Sequence, residues 1–166
     1  KLWDHLAIMS EFQLDIDAPY PLPSLEKINE KPEKLKYNTN HIKFRHYGKL
    51  VEKLIEKIKE GIQEKKGKKI IVADLTSIED TICKYFVICQ GNSPSQVSAI
   101  VDSIKEFTRK GADSKPYAID GLRNAEWVAM DYADVLVHVF LPETRDFYNL
   151  EHLWADAKLT QIPDLD

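Results

Sequence analysis

The turn Gly91-Asn92-Ser93 follows an apolar run and precedes a helical one. A helix N-terminus led by small residues can hold a phosphate, because its first backbone N–H groups have no partner inside the helix. Nucleotidyltransferases place a Gly-Ser pair at such a point, and carboxylates on the next strand hold magnesium for phosphoryl transfer. Here the next strand, Tyr117-Ala118-Ile119, brings no carboxylate pair, and Asp120 stands alone at its end. Neither a Walker-type lysine motif nor a Gly-x-Gly-x-x-Gly motif occurs. Ser93 or Ser95 is therefore predicted to be a plain helix cap, with Pro94 in the first turn. A nucleotide-binding enzyme of the nucleotidyltransferase kind, using Ser93 and Asp120, is the alternative.

The other reactive types are scattered. His138 lies mid-strand between Val137 and Val139, with Asp131, Asp134 and Glu143 nearby in sequence. Such a set would suit a metal or an acid–base pair, but a hydrogen-bonded histidine on a sheet is the commoner outcome and is expected here. His152 falls on a helix position without spaced partners. Cys83 and Cys89 share one apolar segment and have no histidine at a recognisable offset, so they read as reduced, buried thiols. No catalytic residue, metal ligand or cofactor site is predicted. One pattern stands apart: Arg145, Tyr148, Glu151 and Trp154 recur at three-residue steps near the C-terminus. Trp, Tyr and Arg are favoured anchors at protein interfaces, and they are equally ordinary as core and surface pairs.

The elements that must position these residues follow from periodicity. Leu50, Val51, Leu54, Ile55, Ile58 and Ile62 recur at helical spacing from Lys49, and Gly67 is expected to end that helix. Lys69–Leu75 and Tyr85–Gln90 read as buried strands. A second helix carries Val97, Ile100, Val101, Ile104 and Phe107 on one face and is expected to stop at Gly111. Tyr117–Ile119 is a third strand. Glu126–Asp131 and Val135–Phe140 are two more, joined by a turn at Tyr132-Ala133-Asp134 so tight that the pair must be antiparallel. Thr144–Trp154 reads as a short helix with Phe147, Leu150 and Trp154 inward and Arg145 and Glu151 outward. The tail from Lys158 shows no pattern. The order predicts an α/β or α+β domain, a mixed sheet of about five strands flanked by helices.

Composition narrows the function classes. With 43% apolar residues the chain can build a core. Its formal net charge of -4 argues against a general nucleic-acid binder, since neutralising phosphates drives that affinity. No basic-then-apolar signal peptide opens it, and no run has the length of a membrane span. The chain opens on Lys1 rather than Met, as a processed or trimmed chain would. Residues 1–46 read as an irregular extension with Pro19, Pro21, Pro23 and Pro32, residues 47–156 as the domain, and 157–166 as a tail. The extension is a linker or a partner-binding arm; Asp4, Glu11, Asp15 and Asp17 make it a poor targeting peptide.

Trp127-Val128, Asp131, Asp134-Val135, Val137-His138, Arg145, Tyr148, Leu150-Glu151 and Leu153-Trp154, in that order, resemble the signature of the Iojap family of ribosomal silencing factors. Tyr85–Cys89 followed by Gly91-Asn92-Ser93 is similar to that family's earlier block. The resemblance covers about residues 47–154, and departs at Ala133, where relatives commonly carry Gly. It implies a fold similar to nucleotidyltransferases without their catalytic carboxylates, and a protein that catalyses nothing. It further implies binding to the large ribosomal subunit through ribosomal protein L-fourteen, a block to subunit joining that represses translation, and a homodimer when free. Bacterial members of the family act in the cytoplasm; organellar relatives assist large-subunit assembly. Trp127, Asp131, Asp134, Arg145, Tyr148, Glu151 and Trp154 become the expected partner-binding residues, with Asp131, Asp134, Tyr148 and Glu151 sharing one face. Trp127 and Tyr148 are expected to serve binding without being needed for the fold.

Overall fold

The computed structural model describes residues 41–166 apart from Asp80, Ile82, Trp154 and Ala155, and only the backbone of residues 41–47 and Leu153. Most of the Pro-containing extension and Trp154 thus lie outside the described residues. Helix α1 spans His41–Glu64, β1 Lys68–Asp74, β2 Tyr85–Gln90, α2 Pro94–Ala112, β3 Ala118–Asp120, β4 Trp127–Asp131 and β5 Val135–Phe140. Two short helices, α3 (Pro142–Tyr148) and α4 (Leu150–Leu153), precede a final strand β6 (Lys158–Ile162). The six strands form one mixed sheet in the order β3-β4-β5-β2-β1-β6. Only β2 and β5 pair in parallel; the β4–β5 pair is the expected antiparallel hairpin.

The alternation of strand side chains gives the sheet two apolar faces. One face offers Val87, Cys89, Val128, Met130, Val135, Val137 and Val139 to the apolar stripes of α1 and α2. The other gathers Phe86, Ile88, Trp127, Ala129, Leu136 and Phe140 with Leu75, Cys83 and Leu150. The central strands β2 and β5 are buried on both faces, which is why they read as continuous apolar runs. α1 and α2 pack antiparallel and very close. A Cβ added to Gly61 would lie 2.8 Å from Ile104 Cα, so this glycine is what lets the two backbones meet.

Several boundaries differ from expectation for identifiable reasons. α1 is already helical at His41, the first described residue, ahead of the expected Lys49. Its end is closed by Gly67 N–H donating to the Ile62 carbonyl (2.9 Å), while Lys66, not Gly67, takes the left-handed conformation (φ 57°). Gly111 does not stop α2. It lies inside the helix, where a Cβ would strike the Lys57 side chain at 2.5 Å, and the left-handed cap is Asp113 (φ 47°). The sheet has six strands rather than about five. β6 is an edge strand exposed on nearly every residue, so burial imposes no alternation on its sequence. Among the described residues no helix is long and apolar enough to cross a membrane.

The β4–β5 turn is where the departure at Ala133 acquires physical meaning. Ala133 has φ 69°, in the region that costs an L-residue with a Cβ. Two bonds hold it there: Asp131 Oδ1 accepts from Ala133 N–H at 2.7 Å, and Tyr132 N–H donates to the Val135 carbonyl at 2.9 Å. Replacing Ala133 by Gly is therefore expected to stabilise the fold by about 1 kcal/mol. A urea titration checks this; an unchanged or lowered midpoint would contradict the strain.

Candidate functional site

The three-step pattern at the C-terminal end resolves into a buried ion pair. Pro142 starts α3 with no side-chain cap before it, and Asn149 ends it in the left-handed conformation (φ 50°), a role asparagine fills readily. That break resets the helical phase, so α4 does not continue the face of α3. Leu150 is buried as expected, but the orientation expected for α3 is inverted: Arg145 is buried (6% exposed), whereas Phe147 projects into solvent (81% exposed). Arg145 Nε donates to Glu151 Oε1 at 2.7 Å, and its Nη2 reaches the same oxygen. Its Nη1 donates to the Lys69 carbonyl (2.8 Å) and to Gln90 Oε1 (3.3 Å). The guanidinium therefore ties α3, α4, the start of β1 and the end of β2 together. The Lys69 carbonyl belongs to a bulge in β1, where Lys69 adopts φ 50° between the register points Lys68↔Gln90 and Ile71↔Ile88.

Beneath α3 lies an aromatic stack. Trp127 is fully buried, 4.8 Å from the Tyr148 ring and 5.0 Å from Phe140 between centroids. Its indole N–H donates to His138 Nδ1 at 2.9 Å. An indole only donates, so Nδ1 keeps its lone pair and the imidazole proton sits on Nε2. His138 is thus the hydrogen-bonded strand histidine expected from the sequence. Trp127, by contrast, is interior, so it supports the surface above it rather than touching a partner; its truncation would leave a cavity costing about 3–5 kcal/mol. Tyr148 is half-buried, and Phe147 packs edge-on against it at 5.0 Å.

The acidic residues do not join this site. Asp131 lies at the far end of β4 from Trp127, about 13 Å along the strand at ~3.3 Å per residue. Asp134 belongs to the same hairpin turn, where its carbonyl accepts from Lys84 and Tyr85. The face expected to unite Asp131 and Asp134 with Tyr148 and Glu151 is therefore split between opposite ends of the sheet. Burial raises the Asp131 carboxyl above its ordinary range, and the Ala133 N–H partly offsets that. Glu151 itself faces inward to Arg145.

The enzyme alternative loses its geometry. Ser93 caps α2, accepting from Gln96 N–H at 3.1 Å, and follows β2; Asp120 ends β3. β4 and β5 stand between those strands, so roughly 14 Å separates them at ~4.8 Å per strand. Among the described residues no three His, Cys, Asp or Glu side chains gather as a metal site would need. Both thiols are free and buried. Burial pushes Cys89 up to about 12, against a weaker pull from Arg145, and pushes Cys83 up too. A thiolate nucleophile at either position is thereby disfavoured at neutral pH.

A family model described as ribosomal silencing factor during starvation matches residues 49–166. The chain belongs to that family. Within it, the chain is 40% identical over 100 residues to a ribosomal silencing factor of Bacillus subtilis, covering 60% of this chain and 82% of that one. It is 34% identical over 112 residues to the ribosomal silencing factor of Halalkalibacterium halodurans, covering 67% and 93%. A mouse protein named mitochondrial assembly of ribosomal large subunit protein 1 is 37% identical over 84 residues, covering 47% of this chain and 37% of its own length. A crystal structure of a Bacillus halodurans protein superposes with TM-score 0.57 at 30% identity, covering 67% of this chain and 99% of that one. A Chromobacterium violaceum structure gives 0.56 at 30%, covering 71% and 90%.

Two outcomes are expected from this geometry. Glu151→Ala leaves the Arg145 charge buried without its carboxylate and is expected to cost about 3–5 kcal/mol. In a double-mutant cycle with Arg145→Met the two losses should be far from additive, and additive losses in urea melts would contradict the ion pair. Neither thiol should react with an aromatic disulfide reagent at pH 8 in the native protein, while both should react in denaturant. Fast native reaction would contradict the burial of Cys83 and Cys89.

Proposed function

We propose that this protein binds the large ribosomal subunit through ribosomal protein L-fourteen and sterically blocks joining of the small subunit, silencing translation without catalysis. The observation that carries the reading is Phe147, a large apolar side chain 81% exposed on α3, beside the half-buried Tyr148. Phe147 and Tyr148 stand edge to face on one helix, and aromatics are favoured anchors of binding energy at interfaces. The helix that presents it is held by the Arg145–Glu151 pair, so it meets a partner already ordered, which lowers the entropy cost of docking. The formal net charge of -4 favours a basic ribosomal protein and speeds encounter with it. The names of the bacterial relatives support silencing as the role. A cytoplasmic setting accords with those relatives, and a free homodimer follows from the family resemblance.

A second reading, assistance to large-subunit assembly, is favoured by the likeness to the mouse assembly protein and to the maize chloroplastic protein Iojap, which is 31% identical over 86 residues. Depletion that accumulates immature large subunits would favour it over silencing.

Phe147→Ala is expected to weaken binding to purified large subunits by about 2 kcal/mol, roughly thirtyfold, with an unchanged melting curve. Unchanged binding in a pulldown would remove Phe147 from the contact surface.

A further inference from the structure

The formal net charge of -4 hides a local concentration of the opposite sign. In the turn Lys65-Lys66-Gly67-Lys68-Lys69, between α1 and β1, every residue but the glycine is a lysine. Lys65, Lys66 and Lys69 are exposed and Lys68 is half-buried. Among the described residues none of these ammonium groups has a carboxylate within 4.0 Å, and the ion pairs all lie elsewhere. Lys68 Nζ donates to the uncharged Leu165 carbonyl at 2.7 Å. Asp164 also reaches the turn, but its Oδ1 accepts from the backbone N–H of Lys69 at 2.8 Å. The negative end of a helix attracts lysines, which accounts for Lys65 and Lys66 but not for Lys68 and Lys69.

The backbone of this turn is fixed by α1, α2 and α3. Gly67 N–H closes it onto α1 through the Ile62 carbonyl. The Gln96 side chain of α2 donates to the Lys65 and Lys66 carbonyls at 3.1 and 3.3 Å, and its Oε1 accepts from Asn92 N–H at 2.7 Å. Arg145 of α3 holds the Lys69 carbonyl at 2.8 Å. Lys66 and Lys69 both take positive φ (57° and 50°), where Gly or Asn would be less strained. Strain of this kind persists only where the surroundings enforce it, and it clusters at binding sites. Like charges are thus held together on a preorganised backbone.

The turn shares one end of the sheet with the helix that carries Phe147. Lys68 pairs with Gln90 of β2, Gln90 pairs with Phe140 of β5, and α3 begins at Pro142. Two strand spacings, about 10 Å, separate Lys68 from Phe140. α3 itself runs about 10 Å at ~1.5 Å per residue. The lysines and Phe147 therefore fit within one interface of ordinary size, roughly 800 Å² a side. Lysine is depleted at protein–protein interfaces, and no exposed large apolar side chain lies in this turn to anchor a protein. Compact ammonium charges suit phosphate groups instead.

We propose that Lys65, Lys66, Lys68 and Lys69 grip the sugar–phosphate backbone of ribosomal RNA beside the ribosomal protein that Phe147 contacts. This contact rests on the docking to the large subunit proposed above and gives the same surface a second partner. Phosphate contacts position a protein without reading bases, so no sequence preference is expected. Phe147 supplies a term that salt scarcely alters, and the lysines supply one that salt weakens.

A salt titration of binding to purified large subunits tests it, with binding to isolated ribosomal protein L-fourteen measured in parallel. Lys65→Gln, Lys66→Gln, Lys68→Gln and Lys69→Gln together are expected to weaken subunit binding by about tenfold or more at low salt. They should also flatten the plot of log affinity against log salt by about 2 or more, since each phosphate contact contributes roughly 0.9 on a duplex. Affinity for L-fourteen alone should stay unchanged. Arg at the same positions should keep the slope, which separates charge from any effect on the fold. Phe147→Ala should lower affinity in both assays and leave the slope as it was. An unchanged slope in the Gln variant would overturn the RNA contact while leaving docking to the large subunit standing. So would an equal loss of affinity for L-fourteen alone, which would assign the turn to a protein surface. Wild-type protein that binds no large subunit would overturn this contact and the proposed function together.

Discussion

Arg145 must find partners for a permanent charge inside the protein, where water scarcely reaches it. Its guanidinium is always ionised, and taking such an ion out of water costs several kcal/mol unless every donor is matched. The surrounding chain is arranged to supply the match. Glu151 comes from α4, which exists as a separate helix only because Asn149 turns left-handed. The Lys69 carbonyl comes from a bulge that puts a lysine at positive φ, and Gln90 comes from the last residue of β2. One left-handed non-glycine residue, Lys69, thus supplies a partner directly, and another, Asn149, lies two residues before the partner Glu151. A buried pair of this kind adds little net stability over an apolar replacement, but breaking half of it is severe. Its consequence is positional: α3 is fixed on the sheet, and Phe147 is fixed outward.

Burial and chain connectivity decide which parts of the molecule are legible in the sequence. β2 and β5 read clearly because burial on both faces makes them continuous apolar runs. The hairpin between β4 and β5 read clearly because three turn residues allow no other connection. A serine cap beside Pro94 is legible, with Ser93 and Ser95 both open, and the bond from Gln96 N–H decides for Ser93. The orientation of α3 was not legible. Helical periodicity assumes an unbroken helix, and Asn149 was the one signal that it breaks. Trp127 illustrates a different limit. A tryptophan type suits an anchor and a core equally, and only the ring contacts with Phe140 and Tyr148, together with its bond to His138, decide for the core.

The acidic residues teach the remaining lesson. Asp131 and Asp134 are close in sequence to the aromatic cluster, but a strand carries its neighbours away at ~3.3 Å per residue. They end up stabilising a strained turn instead, with Asp131 accepting from Ala133 N–H. Proximity in sequence does not make a shared face, and the length of β4 is the reason. β6 was missed for the converse reason: an edge strand that buries nearly nothing carries no pattern to read.

In the proposed action, a pinned helix presents an aromatic surface to the large ribosomal subunit and thereby keeps the small subunit away. Sedimentation through a sucrose gradient with isolated large subunits, followed by addition of small subunits, tests it directly. The account predicts that the protein travels with the large-subunit peak and that the joined-ribosome peak shrinks as protein is added. Protein that stays at the top of the gradient, or that travels with fully joined ribosomes, would contradict it.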